Sequence, residues 1–305
     1  MWALTTMCAL STLNDMTTTE LDLTGRTILI TGATSGIGRA TAQAVAARGA
    51  RVVLGVRNAA KGHALAEELP GARGAHRVLE VDLADLASVR RAADHVTDDV
   101  DVLVANAGVS SPTLQRTADG SELQFGTNHL GHFALTALLL PRITSRVVTL
   151  SSQAERMGRL DLDDLDWRAR RYAGGRAYAD SKLANLLFSS ELSRRLEAAG
   201  SPVRSLAAHP GLVVTAMYDR PAGQAPRLWD RLLPVFGQSP EQGALPVLHA
   251  ITADLPGGTF VGPEHLFHMR GGAEVIGRSA RAEDVELAAR LWEASEALTG
   301  VEAAR

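Results

Sequence analysis

Two periods of apolar residues alternate along this chain. Short runs rich in β-branched residues are followed by longer segments in which apolar residues recur every three or four positions. These are the patterns of buried strands and of amphipathic helices. The predicted strands span residues 26–31, 51–56, 76–81, 101–105, 146–150 and 203–209. The predicted helices span residues 37–48, 59–69, 86–96, 121–140, 179–199 and 282–298.

The regular alternation of strands and helices predicts the α/β fold class. Each right-handed crossover places its helix against one face of a parallel sheet, so we expect a single doubly wound, Rossmann-type sheet flanked by helices on both faces. With 305 residues, the chain is within reach of one large domain. We expect a poorly ordered leader over residues 1–20 and one dinucleotide-binding and catalytic domain over residues 21–305, with a substrate loop near residues 216–240.

Charge and cysteine content narrow the classes of partner. The formal net charge is −3 and no helix carries a dense block of lysine and arginine, which argues against a nucleic-acid partner. Cys8 is the single cysteine, so the chain cannot form an internal disulfide or a cysteine metal cluster. Residues 1–13 are mildly apolar but fall short of the roughly 20 residues that span a bilayer. We therefore expect a cytoplasmic protein with no metal site and no membrane anchor.

A glycine-rich turn follows the first predicted strand. Its sequence is Thr31-Gly32-Ala33-Thr34-Ser35-Gly36-Ile37-Gly38, and the helical pattern begins directly after it. Gly32 permits a tight turn, Gly36 lets the backbone approach a pyrophosphate, and Gly38 allows close packing of helix and strand. The helix N-terminus adds a favourable dipole for phosphate groups. The turn predicts a dinucleotide site, although a purely structural connection between strand and helix can use the same residues.

The spacing of these glycines, Gly-x-x-x-Gly-x-Gly, differs from the Gly-x-Gly-x-x-Gly dinucleotide fingerprint. It resembles the short-chain dehydrogenase/reductase family, and the resemblance covers most of the chain from about Gly25. Two further motifs carry it, Asp82-Leu83 after the third strand and Asn106-Ala107-Gly108 after the fourth. The resemblance implies that both motifs bind the cofactor together with Ser35 and Ile37 of the turn, with Asp82 at the adenine. For Asp82 taken alone, a turn or helix N-cap role is equally expected.

Tyr178 and Lys182 lie four residues apart and share one face of a predicted helix. Taken alone, such a pair is typical of a solvated helix surface. However, Ser151 and Ser152 end the fifth strand, where open α/β sheets bind their ligands, and Asn128 lies in the helix before that strand. These positions resemble the family's catalytic tetrad, which implies catalytic roles for Asn128, Ser152, Tyr178 and Lys182. Neighbouring strand residues face opposite ways, and the family pattern favours Ser152 over Ser151.

The chemistry of the family explains these residue types. Tyrosine has a pKa of about 10, and a nearby Lys182 ammonium lowers it, so that Tyr178 can take or give a proton near neutral pH. The resemblance implies that Ser152 donates a hydrogen bond to the substrate oxygen and that Asn128 holds a water linking Lys182 to solvent. It also implies that Lys182 contacts the nicotinamide ribose, so Tyr178 and Lys182 are expected at the cofactor as well.

Residues 209–215 resemble the family's Pro-Gly-x-Val-x-Thr stretch. The resemblance implies that the nicotinamide carboxamide is held by Pro210, Gly211, Val213 and Thr215. A strand end with a Pro-Gly turn explains these residues equally well. We expect the following segment to form a mobile lid over an apolar substrate, although core packing explains its composition nearly as well. The predicted lid residues are Met217, Tyr218, Trp229, Leu232, Leu233 and Phe236.

The end of the second strand bears on cofactor preference. NAD-selective sites of this architecture usually carry an acidic residue there, but this chain has Val56 followed by Arg57. An arginine can pair with the 2′-phosphate, so we expect NADP(H) as the preferred cofactor, with NAD(H) also possible. Ser35 could add a hydroxyl to the same phosphate, whereas Arg39 is a weaker candidate. The alternative is an Arg57 that ends the strand in solvent.

Residues 128–133 and 181–185 resemble the branch that contains retinol dehydrogenases and protochlorophyllide reductases. The resemblance implies an oxidoreductase that transfers a hydride between NADP(H) and an apolar carbonyl or alcohol substrate. A regulator that senses NADP(H) without turnover is the alternative, since a fold alone does not define a function. A homo-oligomer is possible. His129 and His132 are expected to pack in the core, because no third metal ligand accompanies them.

Overall fold

The computed structural model describes residues 22–71, 74–213 and 237–302, and an eight-stranded sheet runs through this part of the chain. The strands are β1 Thr27–Thr31, β2 Arg51–Val56, β3 Arg77–Glu80, β4 Val100–Ala105, β5 Ile143–Leu150, β6 Arg204–Ala208, β7 Phe260–Gly262 and β8 Glu274–Val275. Their spatial order is β3-β2-β1-β4-β5-β6-β7-β8. Strands β1 to β7 pair in parallel, and β8 pairs antiparallel with β7.

Helices connect most of the parallel strands. The connecting helices are α1 Gly36–Ala46, α2 Ala59–Glu68, α3 Leu86–His95, α5 Gly174–Ala198 and α6 Pro240–Thr252, with α4 between α3 and α5, and the helix α7 Val285–Thr299 follows the last strand. Helix α4 consists of an α-helical turn Leu123–Phe125, a π-helical turn Gly126–Leu130 and an α-helical segment Gly131–Leu139. Short 3₁₀ helices cover Leu140–Arg142 and Gln153–Met157.

The direction in which the sheet grows reverses at its centre. From β1 the chain moves outward through β2 and β3, and then crosses back to place β4 on the other side of β1. A crevice opens at such a switch point, outside the carboxyl ends of the strands, and open α/β sheets bind their ligands there. Thr31 ends β1 and Ala105 ends β4. The residues that follow these two positions therefore lie at the crevice.

Helices cover both faces of the sheet. Leu29 of β1 lies in a buried cluster with side chains of α3, α4, α5 and α7. Its neighbours Ile28 and Ile30 lie in a second cluster with side chains of α1, α2 and α6, because successive residues of a strand face opposite ways. The prediction of a doubly wound α/β sheet with helices on both faces is confirmed.

Some elements differ from the sequence prediction. Helix α5 begins at Gly174, five residues before the predicted start, because two consecutive glycines weaken the helical pattern of its first turn. Gly174 is required there, since a Cβ would collide with the carbonyl oxygen of Ser111. Helix α6 was not predicted, although Ser239 and Gln242 form a capping box around Pro240, which is a sequence signature of a helix start. Strands β7 and β8 are too short to produce a local pattern.

Two predicted segments lie largely outside the described residues. The leader of residues 1–20 and most of the substrate loop lie outside the described residues, while residues 237–240 lead into α6. Within the described ranges, no helix has both the length and the apolar character that a membrane-spanning helix requires.

Candidate active site

The turn between β1 and α1 requires glycine at three positions. Gly32 and Gly36 have positive φ angles of 66° and 51°, a region that favours glycine. A Cβ at Gly32 would lie 2.9 Å from the Cα of Ala107. At Gly38, a Cβ would collide with the carbonyl oxygen of Gly32 and lie 2.5 Å from Nδ2 of Asn106. The turn is therefore packed closely on the residues that follow β4, at a helix N-terminus that favours phosphate.

Thr31 joins the ends of β1 and β4. Its buried Oγ1 accepts hydrogen bonds from the backbone N–H groups of Asn106, at 2.9 Å, and Ala107, at 3.0 Å. In return, Nδ2 of Asn106 donates to the carbonyl oxygen of Thr31 at 2.7 Å. The motif at residues 106–108 is thus held against the glycine-rich turn. Sequence reasoning assigned no role to Thr31, and its place directly before Gly32 is the signal that could have indicated one.

Helices α4 and α5 bring Asn128 and Lys182 together at Gly108. A Cβ at Gly108 would lie 3.4 Å from Oδ1 of Asn128 and 3.7 Å from Nζ of Lys182. The Asn128 Oδ1 accepts the backbone N–H of Val109 at 2.7 Å. Its Nδ2 donates to the Val109 carbonyl and to Oγ of Ser181, both at 3.0 Å. The amide of Asn128 is therefore held between the segment after β4 and helix α5.

Lys182 is 4% exposed, and burial lowers the pKa of its ammonium to about 8, because a buried cation loses its hydration. Its Nζ donates to the carbonyl oxygen of Leu150 at 3.3 Å and lies 5.6 Å from the centroid of the Tyr178 ring. Tyr178 is half-buried and one turn earlier in α5. At pH 7 the ammonium is still the main form, beside the phenol that is predicted to exchange a proton.

The two serines after β5 have different surroundings. Ser151 is 2% exposed, and its Oγ donates to the carbonyl oxygen of Lys182 at 2.7 Å. Ser152 is half-buried and caps the following 3₁₀ helix, with Oγ accepting the N–H of Ala154 at 3.2 Å. Because the Ser152 oxygen is the acceptor in this bond, its O–H can still donate to a ligand. Of the two, Ser152 is the serine whose donor suits the predicted role.

The Pro-Gly stretch continues from the end of β6. Gly211 has a φ angle of 78°, and a Cβ there would lie 2.5 Å from the carbonyl oxygen of Met269. That carbonyl accepts the N–H of Leu212 at 2.8 Å, while Val213 forms a β-bridge with Gln238. Gln238 also donates from Nε2 to the carbonyl of Pro210 at 2.6 Å. Thr215 and the six predicted lid residues lie outside the described residues.

Three side chains are candidates for binding the 2′-phosphate. Arg57 is exposed directly after β2. Arg39 instead forms an ion pair with Glu68 of α2. Ser35 is exposed at the N-cap of α1 and its side chain makes no capping hydrogen bond. Arg57 and Ser35 are therefore better placed for a ligand than Arg39.

Asp82 and Leu83 follow β3 and have structural contacts of their own. Oδ1 of Asp82 accepts the N–H of Ala84 at 2.9 Å. This bond is the turn role that the sequence analysis gave as the alternative to a cofactor contact. Leu83 is buried against α4, where a Cβ added at Gly131 would lie 2.9 Å from the Cβ of Leu83. Leu83 therefore packs against the helix that carries Asn128.

His129 and His132 are both buried in α4. Nε2 of His129 lies 2.8 Å from Oγ of Ser295 in α7, and burial lowers the pKa of His129 to about 3. His132 lies between Oγ1 of Thr31 and the carbonyl of Asn128. In the described ranges, no group of three or more His, Cys, Asp or Glu side chains could hold a metal ion.

Comparisons with known proteins show which proteins this chain is similar to. The model of the family described as short chain dehydrogenase matches residues 26–224. Retinol dehydrogenase 13 of Homo sapiens is 38% identical over 296 residues, which cover 92% of this chain and 86% of that protein. Polyprenol dehydrogenase of Mus musculus is 41% identical over 292 residues, covering 90% and 84%. The crystal structure of an uncharacterized protein from Mycobacterium paratuberculosis is 49% identical, with a TM-score of 0.81, and covers 93% of this chain and 97% of that one.

Proposed function

The chain belongs to the short-chain dehydrogenase family, and we propose that it is an NADP(H)-dependent enzyme that interconverts an apolar alcohol and its carbonyl compound. Membership makes it an NAD(P)-dependent oxidoreductase of alcohol or carbonyl groups. The observation that carries the proposal of an enzyme is the meeting of Asn128 and Lys182 at Gly108, with Tyr178 one helical turn away. A protein that only sensed NADP(H) would not need a phenol beside a buried ammonium.

The residues at the crevice fit a nicotinamide dinucleotide. The left-handed Gly32 and Gly36 shape a turn at the N-terminus of α1, which suits an anionic pyrophosphate. Residues 106–108 and 210–213 are proposed to hold the remainder of the dinucleotide, and Arg57 its 2′-phosphate. When bound, the nicotinamide supplies the hydride for reduction or accepts it in oxidation.

Tyr178 is proposed to exchange the proton of the substrate at its Oη. The Lys182 ammonium favours the phenolate by charge attraction, since opposite charges stabilise each other in a site with little water. The O–H of Ser152 is proposed to donate to the substrate oxygen, on which negative charge develops in the transition state. Asn128 holds the segment after β4 against α5 and so keeps Lys182 and Gly108 in their relative positions.

An apolar substrate is supported by the relatives and by composition. The two curated relatives are named for retinol and for a polyprenol, both of which are apolar alcohols. The segment predicted to cover the substrate is rich in large apolar side chains. An apolar pocket excludes water and accepts a hydrocarbon body through the hydrophobic effect.

Replacement of Tyr178 by Phe tests this proposal. The substitution removes the proton donor but keeps the ring, so we expect kcat to fall by about 100-fold or more while the Kd for NADPH changes less than about twofold. Turnover is followed by NADPH absorbance with a panel of retinoids, steroids, aromatic aldehydes and simple ketones. Cofactor affinity is measured separately by fluorescence titration.

The matched control is Tyr172→Phe, which removes a phenol outside this constellation. The hydroxyl of Tyr172 donates to the buried Glu122 at 2.9 Å, so this variant is expected to lose stability but to keep kcat. A Tyr178→Phe enzyme with more than about a tenth of the wild-type kcat would contradict the acid–base role. Tight NADPH binding by a wild type that turns over no compound of the panel would favour the sensor.

A further inference from the structure

His132 is a buried polar side chain that the proposed chemistry does not use. It is 2% exposed and lies between two hydrogen-bond partners, Oγ1 of Thr31 at 2.8 Å from Nε2 and the carbonyl oxygen of Asn128 at 3.0 Å from Nδ1. Burial, together with the charge of the nearby Lys182 ammonium, lowers the pKa of His132 to about 4, although the hydrogen bond to the Asn128 carbonyl acts in the opposite direction. The imidazole is therefore neutral near pH 7, with one donor and one acceptor nitrogen.

The two partners determine which nitrogen of His132 carries the proton. The carbonyl of Asn128 can only accept, so Nδ1 must be the N–H donor. Nε2 is then the acceptor, and the hydroxyl of Thr31 donates to it at 2.8 Å rather than to the more distant carbonyl of Val104 at 3.4 Å. The oxygen of Thr31 keeps two lone pairs, which accept the backbone N–H groups of Asn106 and Ala107. The donor and the acceptor of each hydrogen bond in this series are therefore defined, and both nitrogen atoms of the imidazole have a hydrogen-bond partner.

The π turn of α4 explains why the Asn128 carbonyl meets a side chain. In an α-helix, a carbonyl accepts the backbone N–H four residues later. In the π turn the backbone pairing is shifted by one residue, as in the hydrogen bond from Gly131 N–H to the carbonyl of Gly126. The Asn128 carbonyl receives the imidazole of the residue four positions later instead. Single π turns of this kind recur at functional sites.

The two ends of this hydrogen-bond chain reach different parts of the active site. At one end, Asn106 and Ala107 belong to the cofactor motif after β4. At the other end, the Asn128 amide donates to Oγ of Ser181, which in turn donates to the carbonyl of Tyr178 at 2.8 Å. The geometry points to His132 as a positioning residue that couples the cofactor-binding end of β1 to Asn128 and, through it, to the catalytic helix α5. This inference rests on the proposed function for the roles of Asn128 and Tyr178.

Three substitutions separate the two hydrogen bonds of His132. In His132→Asn, the side-chain amide replaces Nδ1 and can keep the hydrogen bond to the Asn128 carbonyl. In His132→Gln, the longer side chain places its amide at the position of Nε2 and can keep the hydrogen bond to Thr31. Phenylalanine keeps a ring and loses both bonds. We expect His132→Phe and His132→Gln to lower kcat by about tenfold, as when a bond that positions a catalytic group is lost. His132→Asn should keep kcat within about threefold of the wild-type value and should instead weaken NADPH binding.

His129 provides the matched control, because it is a histidine of the same helix that is 1% exposed and its Nε2 bonds to Ser295 of α7 rather than to Thr31. His129→Phe should lower the midpoint of thermal unfolding and leave kcat and the Kd for NADPH unchanged. If the three His132 variants lose activity only in proportion to their lost stability, as His129→Phe would, the positioning role is overturned.

A second measurement does not depend on turnover. In the full-length protein labelled with ¹⁵N-histidine, long-range ¹H–¹⁵N spectra should show His132 as the neutral Nδ1–H tautomer, unchanged between pH 5.5 and 9. An Nε2–H tautomer, or titration near the ordinary histidine pKa, overturns the inference whatever the activity of Tyr178→Phe. Conversely, an active Tyr178→Phe enzyme contradicts the proposed function but leaves the tautomer and the NADPH affinities as a separate test of His132.

Discussion

Single residues around the crevice and in the adjoining helix α1 differ in whether their polar groups already have partners within the protein. Ser151 donates to the backbone of α5 and Arg39 pairs with Glu68, so both have structural partners. Ser152 keeps a donor, and Arg57 is exposed after β2. A ligand that binds Ser152 and Arg57 therefore competes less with the protein's own contacts than a ligand that binds Ser151 and Arg39. Availability of this kind, rather than residue type, separates the candidate ligand-binding residues from their neighbours.

The availability of Arg57 for a ligand can be tested by substitution. If its guanidinium pairs with the 2′-phosphate, Arg57→Ala should lower kcat/KM for NADPH by about 10- to 100-fold, the value of a charge-assisted hydrogen bond, and leave kcat/KM for NADH nearly unchanged. Arg39→Ala is the control and should leave the ratio of the two values as in the wild type. Steady-state kinetics with both cofactors measures this ratio. A wild type that prefers NADH, or an unchanged ratio in Arg57→Ala, would remove Arg57 from the site.

At the scale of elements, the site depends on close contacts between segments that follow different strands. The turn after β1 packs on residues 106 and 107 after β4, and the π turn of α4 brings Asn128 to Val109. Each contact is made by backbone or by a small side chain. A single added methyl group therefore has no space at several of these positions, because a packed interior relaxes only partly around it.

Gly38→Ala tests this close packing. Its Cβ would meet the Gly32 carbonyl and the Asn106 amide, so we expect the turn to shift and the Kd for NADPH to rise by about tenfold or more. The free energy of unfolding should fall by about 1–3 kcal/mol. Gly175→Ala, in the first turn of α5, is the matched control because nothing lies within 4 Å of its added Cβ. Cofactor titration and urea unfolding of both variants measure the effect, and equal behaviour of the two would disprove the steric account.

For the whole molecule, the C-terminal helix α7 stabilises the helices that carry the site. Trp292 of α7 is 2% exposed, and its ring centroid lies 5.1 Å from that of Phe133 in α4 and 5.8 Å from that of Phe188 in α5. Arg195 covers the same indole, with its guanidinium 4.4 Å from the ring centroid. The indole Nε1 donates to Glu296 at 2.9 Å. Helix α7 thus joins α4 and α5.

Trp292→Ala is expected to lower the free energy of unfolding by about 3–5 kcal/mol, the usual cost of removing a large buried aromatic side chain. The variant that remains folded should keep most of the wild-type kcat, since the ring, cation and hydrogen-bond partners of Trp292 are Phe133, Phe188, Arg195 and Glu296 and not the proposed catalytic residues. Leu298→Ala, on the same helix but 41% exposed, should change stability by less than about 0.5 kcal/mol. Urea unfolding of the three proteins checks this, and a Trp292→Ala variant as stable as Leu298→Ala would show that α7 contributes little to the core.

The local sequence determined most of the sheet, since burial of parallel strands and of one face of each helix leaves a periodic pattern of apolar residues. This is why β1 to β6 and most of the helices were predicted, and why the motif residues could be assigned to strand ends. The tertiary structure alone decided features that depend on distant partners. Ser151 differs from Ser152 because the carbonyl of Lys182 lies beside it. His132 has a defined tautomer because it meets Thr31, a residue 101 positions earlier in the chain. Such contacts leave no local periodicity, because both partners are set by how separate elements pack.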